Sequence, residues 1–294
     1  IISSVTEHKS VLNTLQDLEQ NGFEVTWLPV GSNGLIDPDK LNEALREDTV
    51  LVSIMHVNNE TGAIQPVDKV KEILQERHSR AYFHVDAVQS FGKIPFHPRQ
   101  TGADLATVSA HKIHGPKGVG ALYADEKTNL SPLLHGGAQE YELRPGTENV
   151  PAIVGFAKAV EIGFQDIVEQ QNRLRSFKNT LAEKLLSGIS DLKINTPEDL
   201  HAAPHILNVS FPGLKGEVLL RTLESEGIYV STGSACTSGK NTFSHVLKAM
   251  GLEQHEAEGA LRFSFSALNS SEEIDYCVDK IIPAVNKLNK LSNY

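Results

Sequence analysis

Apolar residues in the first half of the chain follow two alternating rhythms. Short runs with little polarity read as strands: Phe23 to Leu28, Thr49 to Val57, Ala81 to Val85, Leu105 to Val108 and Gly118 to Tyr123. Ile1-Ile2-Ser3-Ser4-Val5 reads as a strand already under way at the first residue. Between the strands the period becomes helical. Val11, Leu12, Leu15 and Leu18 share one face over Val11 to Gln20, and Gly22 supplies a stop. Asp37-Pro38 opens a short helix carrying Leu41, Ala44 and Leu45, and Val67 to Leu74 is amphipathic. Strands alternating with helices predict an α/β fold, with a mostly parallel sheet sandwiched by helices.

The rhythm changes after Pro151. One or two long helices run to about Leu186, with apolar positions at Ile153, Val154, Phe156, Val160 and Ile167. Strands are predicted at Ile206 to Phe211, Ile228 to Val230 and Leu261 to Phe265. Helices are predicted at Glu217 to Glu226 and Thr242 to Met250, with a last one from near Ser271. The expected organisation is a large domain over residues 1–150, followed over 151–294 by a bridging helix and a smaller α/β domain.

Composition narrows the class. The 294 residues are enough for about two full-sized domains. A net charge of -10 argues against a surface dominated by nucleic-acid binding. No run of about 18 apolar residues marks a membrane span, and Ile1-Ile2-Ser3-Ser4 does not read as a signal peptide. Two cysteines point to a reducing compartment, the cytoplasm, and leave no room for a multi-cysteine metal site. The 12 histidines show no paired Cys/His spacing typical of zinc, so no metal is expected.

Three successive predicted strands end in polar clusters: Asn58-Asn59-Glu60-Thr61-Gly62, then Asp86 with Gln89 one turn later, then Ser109, His111 and Lys112. Ligands of open α/β sheets sit outside the carboxyl ends of the strands, so the clusters are expected to converge. Lys112 stands among hydroxyl and imidazole groups, just before the Gly115-Pro116-Lys117-Gly118 turn. Desolvation and a nearby cation lower a lysine pKa and expose a nucleophilic amine, which suits a Schiff-base lysine.

Pyridoxal phosphate asks a protein for a set of groups, and each has a candidate here. Lys112 would join the aldehyde. Asp86 would keep the ring nitrogen protonated, although an Asp after a strand also serves as a helix cap. Gln89 would address the ring oxygen. Ser109 and His111 would hold the phosphate, and His8 would cover the ring face. Arg262, inside the apolar strand Leu261-Arg262-Phe263-Ser264-Phe265, has the fork that suits a substrate carboxylate.

Ser231-Thr232-Gly233-Ser234-Ala235-Cys236-Thr237-Ser238-Gly239 is small and polar throughout, with no apolar period. It reads as an exposed loop in which Cys236 is a nucleophile that travels. Gly239-Lys240 is not a phosphate loop, because the spacing from Gly233 is wrong and Asn241 follows the lysine. Cys277 shares helical spacing with Ile274, Val278, Ile281, Val285 and Leu288, and reads as core.

These motifs, with Asn58-Asn59-Glu60-Thr61-Gly62, His84-Val85-Asp86-Ala87-Val88-Gln89, Ser109-Ala110-His111-Lys112 and Gly233-Ser234-Ala235-Cys236-Thr237-Ser238, resemble NifS/IscS-type cysteine desulfurases along the whole chain. These belong to the class V aminotransferases, pyridoxal-phosphate-dependent transferases of the aspartate aminotransferase-like fold type I. The resemblance implies conversion of L-cysteine to L-alanine, with the sulfur carried as a persulfide on Cys236. Lys112 would also be the acid/base. His8 would be catalytic with Lys112 and Cys236, and Asn59 would contact the cofactor and join Arg262 on the substrate carboxylate. Thr147, in Arg144-Pro145-Gly146-Thr147, would reach the phosphate of a second subunit, so a homodimer is implied. The implied partner is a sulfur acceptor, either an iron–sulfur scaffold or a tRNA-thiolating enzyme, with no direct nucleic-acid or membrane contact. Relative to the family, the chain lacks an N-terminal segment that includes a Gly/Thr phosphate-binding turn. The competing readings are a selenocysteine lyase or aminotransferase on the same fold, and a non-catalytic fragment that binds a partner.

Overall fold

The computed structural model describes residues 1–233 and 244–292. Its first half is a six-stranded sheet of order β2-β1-β3-β4-β5-β6. The strands are β1 (Ile2–Ser4), β2 (Thr26–Leu28), β3 (Leu51–Met55), β4 (Tyr82–Asp86), β5 (Leu105–Ser109) and β6 (Gly120–Ala124). β1 to β5 are parallel, and β6 closes the edge antiparallel to β5. Helices α1 (Lys9–Gln20), α2 (Pro38–Ala44), α3 (Val67–Glu76) and the short α4 (Pro98–Thr101) are the crossovers. Ile2, Leu28, Leu41, Val52, Ile54, Val70, Phe83 and Val85 make one apolar core between sheet and helices.

β1 lies between β2 and β3, so the connections leaving β1 and β2 diverge across the sheet. That divergence opens a crevice at the carboxyl ends of β1 and β3, the usual ligand position in such sheets. Three clusters of polar residues stand around it.

Helix α5 (Val150–Gly163) returns to this half. Its Phe156 and Ala159 pack with Ala110 and Ile113 beneath the Lys112 turn. The long apolar stretch is two helices, because Asp166 adopts a left-handed backbone (φ 51) and separates α5 from α6 (Ile167–Gly188). A second, three-stranded antiparallel sheet follows, β7 (Lys193–Ile194), β8 (Ile206–Ser210) and β9 (Ala260–Ser264), in the order β7-β8-β9. α6, α7 (Gly216–Glu224) and α10 (Ser271–Ser292) share a core with it, through Leu181, Leu185, Leu219, Leu223, Leu261, Phe263 and Ile281. The short α8 (His245–Ala249) and α9 (Gln254–Glu258) fill the connection to β9.

Several boundaries differ from the sequence expectation for local reasons. Phe23 to Val25 do not join β2, which pairs only over Thr26–Leu28. α1 begins earlier than Val11 because the His8 side chain caps it, accepting from Ser10 N. Ile228 to Val230 is not a strand. Ile228 and Val230 pack on the second core, but the chain meets β9 only at the Ser231–Arg262 bridge. α8 starts at His245, capped by Ser244, and Thr242 and Phe243 lie outside the described residues. Cys277 packs against the second core, and burial pushes its thiol up to about 12.

Candidate active site

The first polar cluster follows β1. Thr6 and Glu7 are buried, and His8 caps α1. Its Nδ1 accepts from Ser10 N at 3.2 Å and lies 2.8 Å from Ser10 Oγ. An amide can only donate, so in the neutral ring the proton sits on Nε2. Burial lowers the His8 pKa and keeps the ring neutral, with Lys112 and His245 pushing the same way and Asp86 and Glu60 opposing. Those four influences place His8 within electrostatic reach of residues from four separate segments.

The second cluster follows β3. Asn58 Oδ1 accepts from the amides of Glu60 and Thr61, each at 2.9 Å. Asn58 Nδ2 donates to Thr6 O at 3.0 Å, which ties the end of β3 to the end of β1. Asn59 is partly buried, and its carbonyl accepts from Arg262 Nη1 at 2.8 Å. The fold therefore joins the two residues expected to share a carboxylate.

The third group is at the ends of β4 and β5. Asp86 is buried, and its Oδ1 accepts from Val88 N at 3.0 Å. It thus has the turn-capping contact that an Asp after a strand favours, at a site that also couples to His8, His84 and Glu7. Gln89 is partly buried in the turn that follows. Beyond β5, Ser109 Oγ lies 2.7 Å from His111 Nδ1. Lys112 is partly buried in a single 3-10 turn, Ala110–Ile113, which ends at His114 in a left-handed conformation. The turn is compact because Gly115 comes so close to Ala110 that a Cβ there would meet its carbonyl oxygen at 3.0 Å.

His8, Asn59, Asp86, Gln89, Ser109, His111, Lys112 and Arg262 thus stand on the ends of β1, β3, β4 and β5 and on the facing β9. Thr147 is different. It is exposed ahead of α5, and among the described residues it makes no hydrogen bond to the others. Cys236 lies outside the described residues, but both flanks of its segment are held at this crevice. Gly233 O accepts from Arg262 Nη1 at 3.5 Å. On the other flank Ser244 Oγ donates to Glu60 Oε2 at 2.6 Å, and His245 Nε2 donates to Glu7 O at 3.0 Å.

Sequence reasoning missed Glu7, Lys93 and His245, and named Glu60 only within its polar cluster. Glu7 Oε1 accepts from Met55 N at 2.6 Å, and Met55 pairs with Asp86 across β3 and β4. Burial, aided by the negative charge of Asp86, raises the Glu7 pKa well above the usual carboxylate value. Lys93 is a cation within electrostatic reach of Lys112. Only the adjacency of Glu7 to His8 was a usable signal in the sequence. The rest depend on segments distant along the chain. Among the described residues no group of His, Cys, Asp and Glu is arranged to hold a metal ion.

The donor set fits pyridoxal phosphate. A buried carboxylate, a neutral imidazole of fixed orientation, a lysine within reach of another cation and a hydroxyl–imidazole pair surround one crevice. The family model for aminotransferase class-V matches residues 1–277. Fold and site together define a pyridoxal-phosphate-dependent transferase of fold type I. The chain is 42% identical over 294 residues to cysteine desulfurase IscS of Dictyoglomus turgidum, covering 100% of this chain and 74% of that protein. It is 46% identical to the cysteine desulfurase IscS of Vibrio atlanticus, covering 99% and 71%. A solved NifS-like protein superposes with a TM-score of 0.90 at 41% identity, covering 97% of this chain and 74% of that one. The chain belongs to the class-V aminotransferase family, among its IscS/NifS-type cysteine desulfurases.

Proposed function

We propose that the chain converts L-cysteine to L-alanine, moving the sulfur to the Cys236 thiol as a persulfide, from which an acceptor thiol collects it. The transfer balances: the substrate C–S bond breaks, an S–S bond forms on Cys236, and the thiol proton remains to complete alanine. The observation that carries this reading is the meeting of His8, Asp86, Lys112 and Arg262 at one crevice, with both flanks of the Cys236 segment tied to it.

Pyridoxal phosphate, when bound, supplies the electron sink that makes the substrate α-carbon acidic. The chain's own residues do the rest. Lys112 holds the cofactor and then moves a proton at the substrate α-carbon. Asp86 holds a proton on the ring nitrogen through a charge-assisted hydrogen bond. His8 stacks on the ring as a neutral imidazole, its plane held by the contact with Ser10. Gln89 addresses the ring oxygen, and Ser109 and His111 hold the phosphate. Arg262 and Asn59 orient the substrate carboxylate, which brings its sulfur toward Cys236.

In this reading residues 1–150 hold the cofactor, and residues 151–294 supply Arg262 and the Cys236 segment. A second copy of the chain contributes Thr147 to the phosphate. In support, Leu133, Leu134, Tyr141, Val150 and Val154 are exposed apolar residues on either side of Thr147, a pattern that favours burial against a partner. The acceptor is an iron–sulfur scaffold or a tRNA-thiolating enzyme, and the compartment is the cytoplasm. Among the described residues no helix is long and apolar enough to cross a membrane.

The test is sulfide release from L-cysteine, with pyridoxal phosphate and a reducing thiol supplied. Release that is lost in both Cys236→Ala and Lys112→Ala, with cofactor absorbance lost only in Lys112→Ala, supports the reading. Release that persists in Cys236→Ala points instead to lyase chemistry without a persulfide. No cofactor absorbance in the unsubstituted chain points to a partner-binding role.

A further inference from the structure

Lys93 has no task in the chemistry above, yet its surroundings are specific. Val57, Ile94, Ala203 and Ile206 form one apolar cluster, with Ile64 packed against it. The cluster joins the turn after β3, the turn after β4 and the entry to β8, at the seam between the two sheets. Each segment carries a polar residue near its apolar anchor: Asn59 shortly after Val57, Lys93 before Ile94, and His205 before Ile206. Arg262 of β9 reaches the same place, through its bond to Asn59 O.

The charges there have one sign. Burial, then Lys112 and then Arg262, lowers the Lys93 pKa to about 8. Among the described residues the Lys93 ammonium makes no hydrogen bond or ion pair. His205 is fully buried, and among the described residues neither ring nitrogen has a partner. Burial, with the positive charges of Lys93, Arg262 and Lys178, holds its pKa well below the usual histidine range. The ring is therefore neutral and carries one N–H donor. A buried donor without an acceptor, as at His205, is costly unless a ligand satisfies it, and the partly buried Lys93 beside it adds a field that attracts anions.

We propose that Lys93 and His205 complete, with Arg262, the pocket for the substrate's α-carboxylate, the Lys93 ammonium taking one oxygen and the His205 N–H lining the wall. This rests on the desulfurase reading. The charges that act on Lys93 are those of Lys112 and Arg262, and no described carboxylate opposes them. A planar two-oxygen anion between Arg262 and Lys93 can accept from both, which orients the substrate more tightly than Arg262 alone. Lys93 is thus a positioning residue that selects α-carboxylate substrates.

The test compares 3-mercaptopropionate with its uncharged amide, each titrated calorimetrically into the cofactor-loaded protein. Neither ligand has an amine to react with the cofactor. Lys93→Met is expected to cut the affinity of the acid roughly ten- to a hundredfold, leaving the amide unchanged. Lys93→Arg, which keeps the charge, retains most of the preference for the acid. In the unsubstituted protein, acetic anhydride labelling of Lys93, read by mass spectrometry, is slowed by the acid and not by the amide. An unchanged acid-to-amide ratio in Lys93→Met, or labelling indifferent to the acid, overturns the proposal. Sulfide release by the unsubstituted protein reports on the desulfurase reading separately, so the two failures are distinguishable.

Discussion

The Ser244 hydroxyl donates to Glu60 Oε2 at 2.6 Å and joins positions 184 residues apart. The same hydroxyl caps α8, accepting from Leu247 N at 3.2 Å. Glu60 is buried, and its own backbone is fixed at both ends: Asn58 Oδ1 takes the amide, and Asn208 Nδ2 donates to the carbonyl at 3.1 Å. On the opposite flank a Cβ at Gly233 would lie 2.9 Å from Glu60 Oε2. Glu60 therefore stands against both ends of the segment that bears Cys236. Fixing the two ends of a chain limits the volume its middle can reach.

Ser244→Ala removes a hydrogen bond to a charged group, an interaction worth about 1.5–3 kcal/mol. The expected result is a lower melting temperature and slower formation of the Cys236 persulfide, with binding of the carboxylate analogue unchanged. Trapped persulfide, quantified by mass spectrometry against time, checks this. An unaltered rate would show that the anchor does not guide the segment.

Gly233→Ala puts a methyl group against Glu60 Oε2 at a position where φ is +70, which ordinary residues adopt at a cost of about 1–2 kcal/mol. Both effects push the flank outward. Persulfide formation is expected to fall more than in Ser244→Ala, while the cofactor absorbance stays the same.

Glu7→Gln tests the buried acid. The folded pKa of Glu7 is raised above its ordinary 4.5, so the native state holds a proton that the unfolded chain releases. That contribution is fully present below about pH 4.5 and is lost as pH rises through the folded value. The neutral amide cannot ionise. The variant is expected to match the wild type in mild acid and to lose less stability toward alkaline pH, measured by urea unfolding at several pH values. Identical pH profiles would show that Glu7 does not titrate on unfolding.

Acid stability has the opposite sign at His56. Its ring is buried, packs 5.3 Å from the Phe96 ring and is held down to about 4 by burial. The unfolded chain protonates near 6.5 and the native state resists, so stability is present above that value and is lost as pH falls toward 4. One such group accounts for up to about 3 kcal/mol. His84 and His205 are shifted in the same direction. Urea midpoints are expected to drop between about pH 7 and 5, and His56→Phe to flatten part of that drop.

Gly62→Ala is the sharpest test of the seam between the sheets. Gly62 has φ +77, and a Cβ there would meet Ile206 Cβ at 3.1 Å. Its carbonyl accepts from Ala203 N at 2.8 Å, so the clash cannot be relieved without moving the entry to β8. The variant is expected to lose stability and to raise the KM for L-cysteine more than it lowers kcat, because β9 and Arg262 shift with β8.

Local order was legible where a short segment decides its own fate. The apolar run of β3 is buried almost throughout, and the 3.6-residue pattern of α1 and α3 matches helices that pack one face on the sheet. Asp37-Pro38 starts a helix because the carboxylate caps it and the fixed proline φ suits its first turn. Ile228 to Val230 failed because a strand needs a partner along its length, and only Ser231 finds one.

The chemistry was suggested by sequence motifs: Asp86, Ser109, His111 and Lys112 at strand ends, and Gly233-Ser234-Ala235-Cys236-Thr237-Ser238. What surrounds them was decided only by the tertiary structure. That the Glu7 pKa is raised follows from its burial and the nearby charge of Asp86. That Arg262 grips Asn59 O follows from β9 facing the crevice from the second sheet. That His205 is a donor held out of water without an acceptor, among the described residues, follows from the apolar cluster at the seam. Burial and charge proximity are properties of three-dimensional neighbours, and a one-dimensional pattern fixes a residue's period and cap without fixing which distant charge it will meet.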